Sequence, residues 1–455
     1  MRFISIAHTS RGDPLVAICV IALGALTLPS VAYASDDPAA GPAVVITRTA
    51  TRAVSTPDYP DDTQSEPVAA ALALQPSGLF AEPRLMRRGI DFGTRTLGDT
   101  TTTKSGFYPE FSNMPTGSGW ISIGPGYRQW LYGDRAVIEG SAAYSWRSYK
   151  MIQGRFELPT LARSRVVVGS QVMWQDLTQM TYFGEGSNSL ESTRSEYRLQ
   201  STDLVGYVTV RPRQWLAIGS RFGYLLQPSL SAPAGTFMRG NPSTFLIFAN
   251  SNLPDQPSYV HTEASITADT RDSRSHPLSG GMYRIAGSVY SDRNVGVHSF
   301  RRYEAEGAQF VGVLDNLIVL AAHGWVVATD TDAGQSVPFY MLPSLGGNNT
   351  LRAFTDYRFH DRNFALVNLE SRLALSAHVD LAAFVDAGNV AARVSDLNLD
   401  KRDWGIGVRV HANEATFGRL DVAHGTEGWR FVFRTNDPLH LSHISRRTAA
   451  VPFVP

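Results

Sequence analysis

Between about Arg84 and Asn436, apolar and polar residues alternate with a period of two, in short runs broken by turn-rich stretches and without a long amphipathic helix. Such alternation predicts half-buried β-strands and an all-β fold. It is cleanest near the C-terminus, where Trp404, Ile406, Val408, Val410 and Ala412 share one face and Gly405, Gly407, Arg409 and His411 the other. Two further strands repeat it: Leu420 and Val422 oppose Arg419 and Asp421, and Trp429, Phe431 and Phe433 oppose Arg430, Val432 and Arg434. Upstream, Val166, Val168, Val172 and Trp174 alternate with Gly169, Gln171 and Gln175. Strands are predicted near 119–130, 134–147, 148–157, 163–176, 195–211, 214–227, 257–271, 280–293, 298–313, 316–329, 363–375, 377–390, 403–413, 415–425 and 428–436.

Three segments of the last quarter carry the candidate chemistry: LGGNNTLRAF (Leu345 to Phe354), NLESR (Asn368 to Arg372) and FVDAGN (Phe384 to Asn389). In the second, Ala365, Val367, Leu369, Leu373 and Leu375 fall on one face, with Asn368, Glu370 and Arg372 opposite. In the third, Val379, Leu381, Ala383, Val385 and Ala387 are apolar, leaving Asp380, Phe384, Asp386 and Gly388 opposite. Glu370 and Asp386 therefore share the polar face of two adjacent strands. Arg352 sits in the loop before them.

A water-soluble sandwich with its polar face outward would show the same period, so periodicity alone leaves the architecture open. Three observations favour a transmembrane barrel. Aromatic residues stand near strand ends (Trp130, Tyr132, Trp174, Tyr207, Trp215, Tyr283, Tyr290 and Trp325), where a girdle at a membrane interface would place them. Short turns such as 132–135, 211–213 and 314–316 alternate with long connections such as 227–256 and 329–360. The N-terminus supplies the third. Arg2 and Arg11 precede an apolar run from Leu15 to Leu28, and Ala32-Tyr33-Ala34 offers a cleavage site before Ser35, so residues 1–34 read as a secretory signal peptide. As a permanent anchor the run falls short of the ~20 residues that span a bilayer.

Cys19, the only cysteine, lies inside that signal, so no disulfide framework is expected. Residues 35–85 have the composition of a disordered segment, here periplasmic; the barrel is expected over 86–436, and 437–455 continues as a polar, Pro-bearing tail. A single-chain barrel with both termini in the periplasm needs an even number of strands, and the number above is odd. Arg88 to Thr96, where Ile90 and Phe92 alternate with Asp91 and Gly93, is the available extra strand. The expectation is a barrel of about sixteen antiparallel strands, with short turns periplasmic and long loops outside.

With these residues in view, the chain resembles the bacterial surface antigen superfamily, the outer-membrane barrels of the BamA, TamA and two-partner-secretion type. The hydrophobic-Arg-Gly-aromatic loop motif of that family corresponds to Leu351-Arg352-Ala353-Phe354, with alanine in place of the usual glycine. An Asn-x-Glu-x-Arg strand is matched by Asn368, Glu370 and Arg372, and a Phe-x-Asp-x-Gly strand by Phe384, Asp386 and Gly388. Asp269 to Gly281 resembles the family's periplasmic turn. The resemblance implies that the loop folds back into the lumen and that Arg352 contacts Glu370 and Asp386. Relatives that assemble other barrels carry periplasmic POTRA modules, which residues 35–85 are too short to hold.

Formal net charge is +0, which gives no reason to expect nucleic acid as partner. Outer-membrane lipids, lipopolysaccharide and client outer-membrane or secreted polypeptides are the expected partners. Asp330, Asp332 and Gly334 resemble the opening of a calcium loop but lack its distal Glu, and His360-Asp361 and His261-Thr262-Glu263 lack metal-ligand spacing. No hydrolase or phosphate-loop motif occurs. The reading is a non-enzymatic barrel without cofactor or metal, engaged in outer-membrane protein assembly or polypeptide translocation. A passive pore or structural barrel is the alternative.

Overall fold

A computed structural model describes residues 78–80, 105–111, 114, 122–233, 256–274, 276–347, 349–412, 415–434, 439, 447–449 and 451–453. Sixteen strands form one antiparallel sheet in which each pairs with its neighbours in chain order. They are β1 (Gly106–Phe111), β2 (Ser122–Leu131), β3 (Ala136–Ser145), β4 (Lys150–Thr160), β5 (Val166–Tyr182), β6 (Ser195–Arg213), β7 (Leu216–Ser231), β8 (Tyr259–Asp269), β9 (Gly280–Asp292), β10 (Phe300–Val313) and β11 (Ile318–Asp330). After the long β11–β14 connection come β14 (Asn363–Ser376), β15 (Val379–Ala391), β16 (Lys401–Ala412), β17 (Ala415–Gly425) and β18 (Gly428–Arg434). That connection carries its own two-stranded hairpin, β12 (Ser344–Leu345) with β13 (Phe359–His360).

Every strand expected from the alternation is present, and the extra one is placed differently. The signal peptide and the Arg88–Thr96 candidate lie outside the described residues, whereas Gly106–Phe111 supplies the sixteenth strand and pairs with β2 from Gly106↔Arg128 to Phe111↔Ile123. A proline, a glycine and three aromatics within its six residues hide its period-two signal. Of residues 35–85 only 78–80 are described. Leu79 and Phe80 donate backbone hydrogen bonds to Ala374 O (3.3 Å) and Leu375 O (2.8 Å), which docks this piece at the end of β14.

The burial pattern separates barrel from sandwich. Trp404, Ile406, Leu420, Trp429, Phe431 and Phe433 are exposed, whereas the largest fully buried side chains include Arg302, Arg352, Arg372, Arg409 and Arg419. A soluble sandwich would invert this, since exposing such large apolar faces to water is costly. The protein is a transmembrane β-barrel with its apolar face to lipid and its charged face to the lumen.

The aromatic girdle is only partly as expected. Tyr132 and Trp215 are exposed, but Trp130, Tyr207, Tyr290 and Trp325 are buried on the lumen side. Trp325 and Tyr290 are covered there by chain that fills the lumen. Trp325 packs with Leu345, Leu351 and Phe354 of the long connection and with Phe453 of the C-terminal tail. Tyr290 packs in a second cluster with Tyr340, Met341, Ala449 and Val451.

Candidate functional site

The β11–β14 connection (residues 331–362) re-enters the lumen and turns at Gly346 and Gly347. Their φ values of 113° and 102° suit glycine alone. A Cβ on Gly346 would fall 2.5 Å from Thr355 O, and one on Gly347 2.4 Å from Asp356 Oδ1, so the turn also needs their lack of a side chain. Leu351 and Phe354 then point into the apolar cluster around Trp325, while Arg352 turns the other way, toward the strands.

Arg352 is 1% exposed. Its Nε and Nη2 donate to Asp386 Oδ2 and Oδ1 at 2.7 and 2.8 Å, a bidentate pair, and its Nη1 donates to Glu370 Oε2 at 2.6 Å. The guanidinium lies 3.4 Å from the centroid of the Phe384 ring. Burial by itself would push this guanidinium down; the Asp386 and Glu370 carboxylates outweigh it and hold it well above the ordinary arginine range. At an effective dielectric near 20 one such contact has a Coulomb energy of about 4 kcal/mol, much of it offset by desolvation. The planar fork matches the carboxylate, which an ammonium would not do.

The acids are themselves held. Asn368 Nδ2 donates to Asp386 Oδ1 and to Thr350 O, both at 2.8 Å, tying strand, acid and loop together. Glu370 also accepts from Arg372 Nε (2.9 Å) and Arg409 Nη2 (3.0 Å). Arg409 continues to Asp421, which accepts from Arg419 Nη1 at 3.2 Å, and Arg419 Nη2 reaches Asn349 of the loop at 3.1 Å. Asp403 Oδ2 accepts the Ala353 amide at 3.2 Å, and Arg430 donates to Phe354 O and to Asp356. Charges on β14, β15, β16, β17 and β18 thus converge on one loop.

All the expected site residues meet here: Leu351, Arg352, Ala353, Phe354, Glu370, Asp386, Asn368, Arg372, Phe384 and Gly388. Gly388 admits the loop, because a Cβ there would lie 3.1 Å from Leu345 Cδ1 and 2.7 Å from Ala365 O. Alanine is tolerated at 353 because φ is not positive there. Local sequence reading did not single out Asp403, Arg409, Asp421 or Arg430 as clamp members. Their inward parity was visible, but their proximity to the loop was not.

The C-terminal tail is the larger surprise. Arg221 Nη1 donates to Arg447 O (3.2 Å), Ala449 N to Asp203 Oδ2 (2.5 Å), Gln175 to Val451 O, and Phe453 N to Tyr340 O (3.2 Å). Arg302 stacks over Phe453, 4.3 Å from the ring centroid. Residues 447–449 and 451–453 therefore lie inside the barrel against the long connection. The acidic loop around Asp330 and Asp332 is used by Arg301, whose Nη1 lies 3.4 and 3.0 Å from them. His261 meets Asp203 at 2.8 Å, and Glu263 pairs with Arg221 and Arg284 at 2.5 and 2.7 Å.

The sequence signature of the Omp85 superfamily domain matches residues 138–428, well over half of the chain. The chain belongs to the Omp85 superfamily. It is accordingly a multi-pass barrel of the outer membrane. No curated protein sequence matches it. Among solved structures, BamA from Haemophilus ducreyi, crystallised without POTRA domains 1–3, is similar over 83% of this chain and 82% of that one, with a TM-score of 0.53 at 12% identity. CdiB from Acinetobacter baumannii (11% identity, TM-score 0.45) and from Escherichia coli (12%, 0.46) each match 72% of this chain. This Omp85 chain spans 58% and 59% of those CdiB chains.

Proposed function

We propose that this Omp85 barrel acts on polypeptide, in outer-membrane protein assembly or translocation, and does so at the seam between its first and last strands. The observation that carries this reading is the filled lumen. The Arg352 loop and residues 447–449 and 451–453 occupy it, held by buried ion pairs and apolar clusters, which argues against a standing solute pore. The seam is the weak place in the wall. β1 and β18 stand at the two ends of the strand order, and among the described residues no ladder joins them, whereas every other neighbouring pair is hydrogen-bonded. Edge strands with unpaired N–H and C=O groups are templates for another chain. The Arg352 clamp braces the wall at β14 to β16 while the seam opens. Purified protein in liposomes should accelerate folding of an unfolded eight-stranded outer-membrane barrel relative to empty liposomes. No acceleration, with steady ion conduction in planar bilayers, would make the passive pore the correct reading.

A further inference from the structure

At the short-turn end of the barrel, two histidines and an aspartate converge from different parts of the chain. His276 comes from the β8–β9 connection, Asp380 is the second residue of β15, and His411 lies near the end of β16. All three are buried. The two imidazoles stack with centroids 3.6 Å apart and planes 12° from parallel. Both Nε2 atoms face one carboxylate, His276 3.3 Å from Oδ2 and His411 3.4 Å from Oδ1. One candidate ligand atom from each residue lies within 4.8 Å of the other two. Among the described residues, His411 has no partner closer than this carboxylate with good hydrogen-bond geometry.

We propose that His276, Asp380 and His411 bind a divalent zinc-type cation that staples the β8–β9 connection to β15 and β16 across the periplasmic mouth. The distances fit. With metal–ligand bonds of about 2.0 Å, the edge of a tetrahedron is about 3.3 Å, the separation at which both nitrogens already stand from the carboxylate. The chemistry fits as well. Two imidazole nitrogens with one carboxylate oxygen are a donor set that such a cation takes, with Asp380 as the third partner. Imidazole with carboxylate selects zinc and its first-row neighbours over calcium or magnesium. Asn316 and Ser376 line the adjoining cavity, leaving the fourth position to a water. Arg372 lines it too, with its Nε turned to Glu370 at 2.9 Å. The connection is preorganised: Asp272 Oδ1 accepts from Ser273 N (2.8 Å) and Leu278 N (3.0 Å), and Ser273 Oγ accepts from His276 N (3.3 Å).

The test uses the full chain, purified without a polyhistidine tag and titrated with Zn2+ against a chromophoric chelator. Wild type should bind about one zinc per chain, and Co2+ in its place should give the intense visible absorption of a tetrahedral site. His276→Gln and His411→Ala should each weaken zinc binding by about tenfold or more. His298→Ala, at a distant half-buried histidine of the β9–β10 connection, should leave binding unchanged. Zinc should also raise the temperature at which the folded band is lost on unboiled gels, in wild type and not in His276→Gln. Absence of zinc binding by wild type, an octahedral cobalt spectrum, or unchanged affinity in a folded His276→Gln protein would each overturn the site. The cobalt spectrum of wild type decides the matter even if a histidine variant does not fold.

Discussion

The methyl of Ala353 lies over Gly425, where a Cβ would come within 3.0 Å of it. A residue larger than the family's usual glycine has been admitted to the loop motif because the facing strand supplies a glycine of its own. Gly425→Ala should therefore lift the loop and destabilise the barrel, by about 1–3 kcal/mol as for other overpacked sites. Ala353→Gly in the same chain should recover most of the loss. The check is a double-mutant cycle on urea unfolding in detergent, in which simple additivity would refute the contact.

Glu370 is shared by three arginines, Arg352 at 2.6 Å, Arg372 at 2.9 Å and Arg409 at 3.0 Å. Glu370→Gln leaves their charges crowded in a buried site and should cost about 3–5 kcal/mol. Removing one of the cations as well, in Glu370→Gln with Arg409→Gln, should restore part of that stability. Arg352→Lys should behave like Arg352→Ala rather than wild type, because a single ammonium cannot make the bidentate bond to Asp386. Loss of the heat-modifiable folded band reports each outcome.

Phe453 is sandwiched between Arg302 and the apolar cluster around Trp325. Deleting residues 447–455 removes that stopper and should raise the conductance of single barrels in planar bilayers, with Phe453→Ala giving an intermediate value. Unchanged conductance would show that the loop alone closes the lumen.

His360, in the loop hairpin, is buried against Tyr182, and burial lowers its imidazole from 6.5 to about 3. The unfolded chain takes up a proton near pH 6.5 that the folded hairpin refuses until about pH 3. Stability from this group is therefore full above pH 6.5 and lost as the pH falls toward 3. Glu185 and Asp361 nearby are raised, chiefly by burial, and act in the opposite sense, contributing most at low pH and losing it as the pH rises. Comparison with His360→Phe isolates the histidine: wild type should lose more of its urea midpoint between pH 7 and pH 4.5 than the variant does.

Much of this molecule was legible in the order of its residues. A period of two depends only on the pleat of a single strand, so the exposed Leu369, Val385 and Trp404 and the buried Glu370, Asp386 and Arg409 could be assigned to opposite faces from local pattern. The resemblance of the loop motif implied Arg352 as the partner of those acids, and its guanidinium stands 2.6 Å from Glu370 and 2.7 Å from Asp386. The tertiary structure decided what no local pattern encodes, namely which distant segments share the enclosed volume. Whether Trp325 and Tyr290 face lipid or lumen depended on the loop and tail that fill the barrel. Gly106–Phe111 became a strand through its pairing with β2. His276 met Asp380 and His411 only because the sheet curls far enough to bring the β8–β9 connection against β15 and β16. Alternation is a property of neighbours along one strand, and these contacts are a property of the curled sheet and what it encloses.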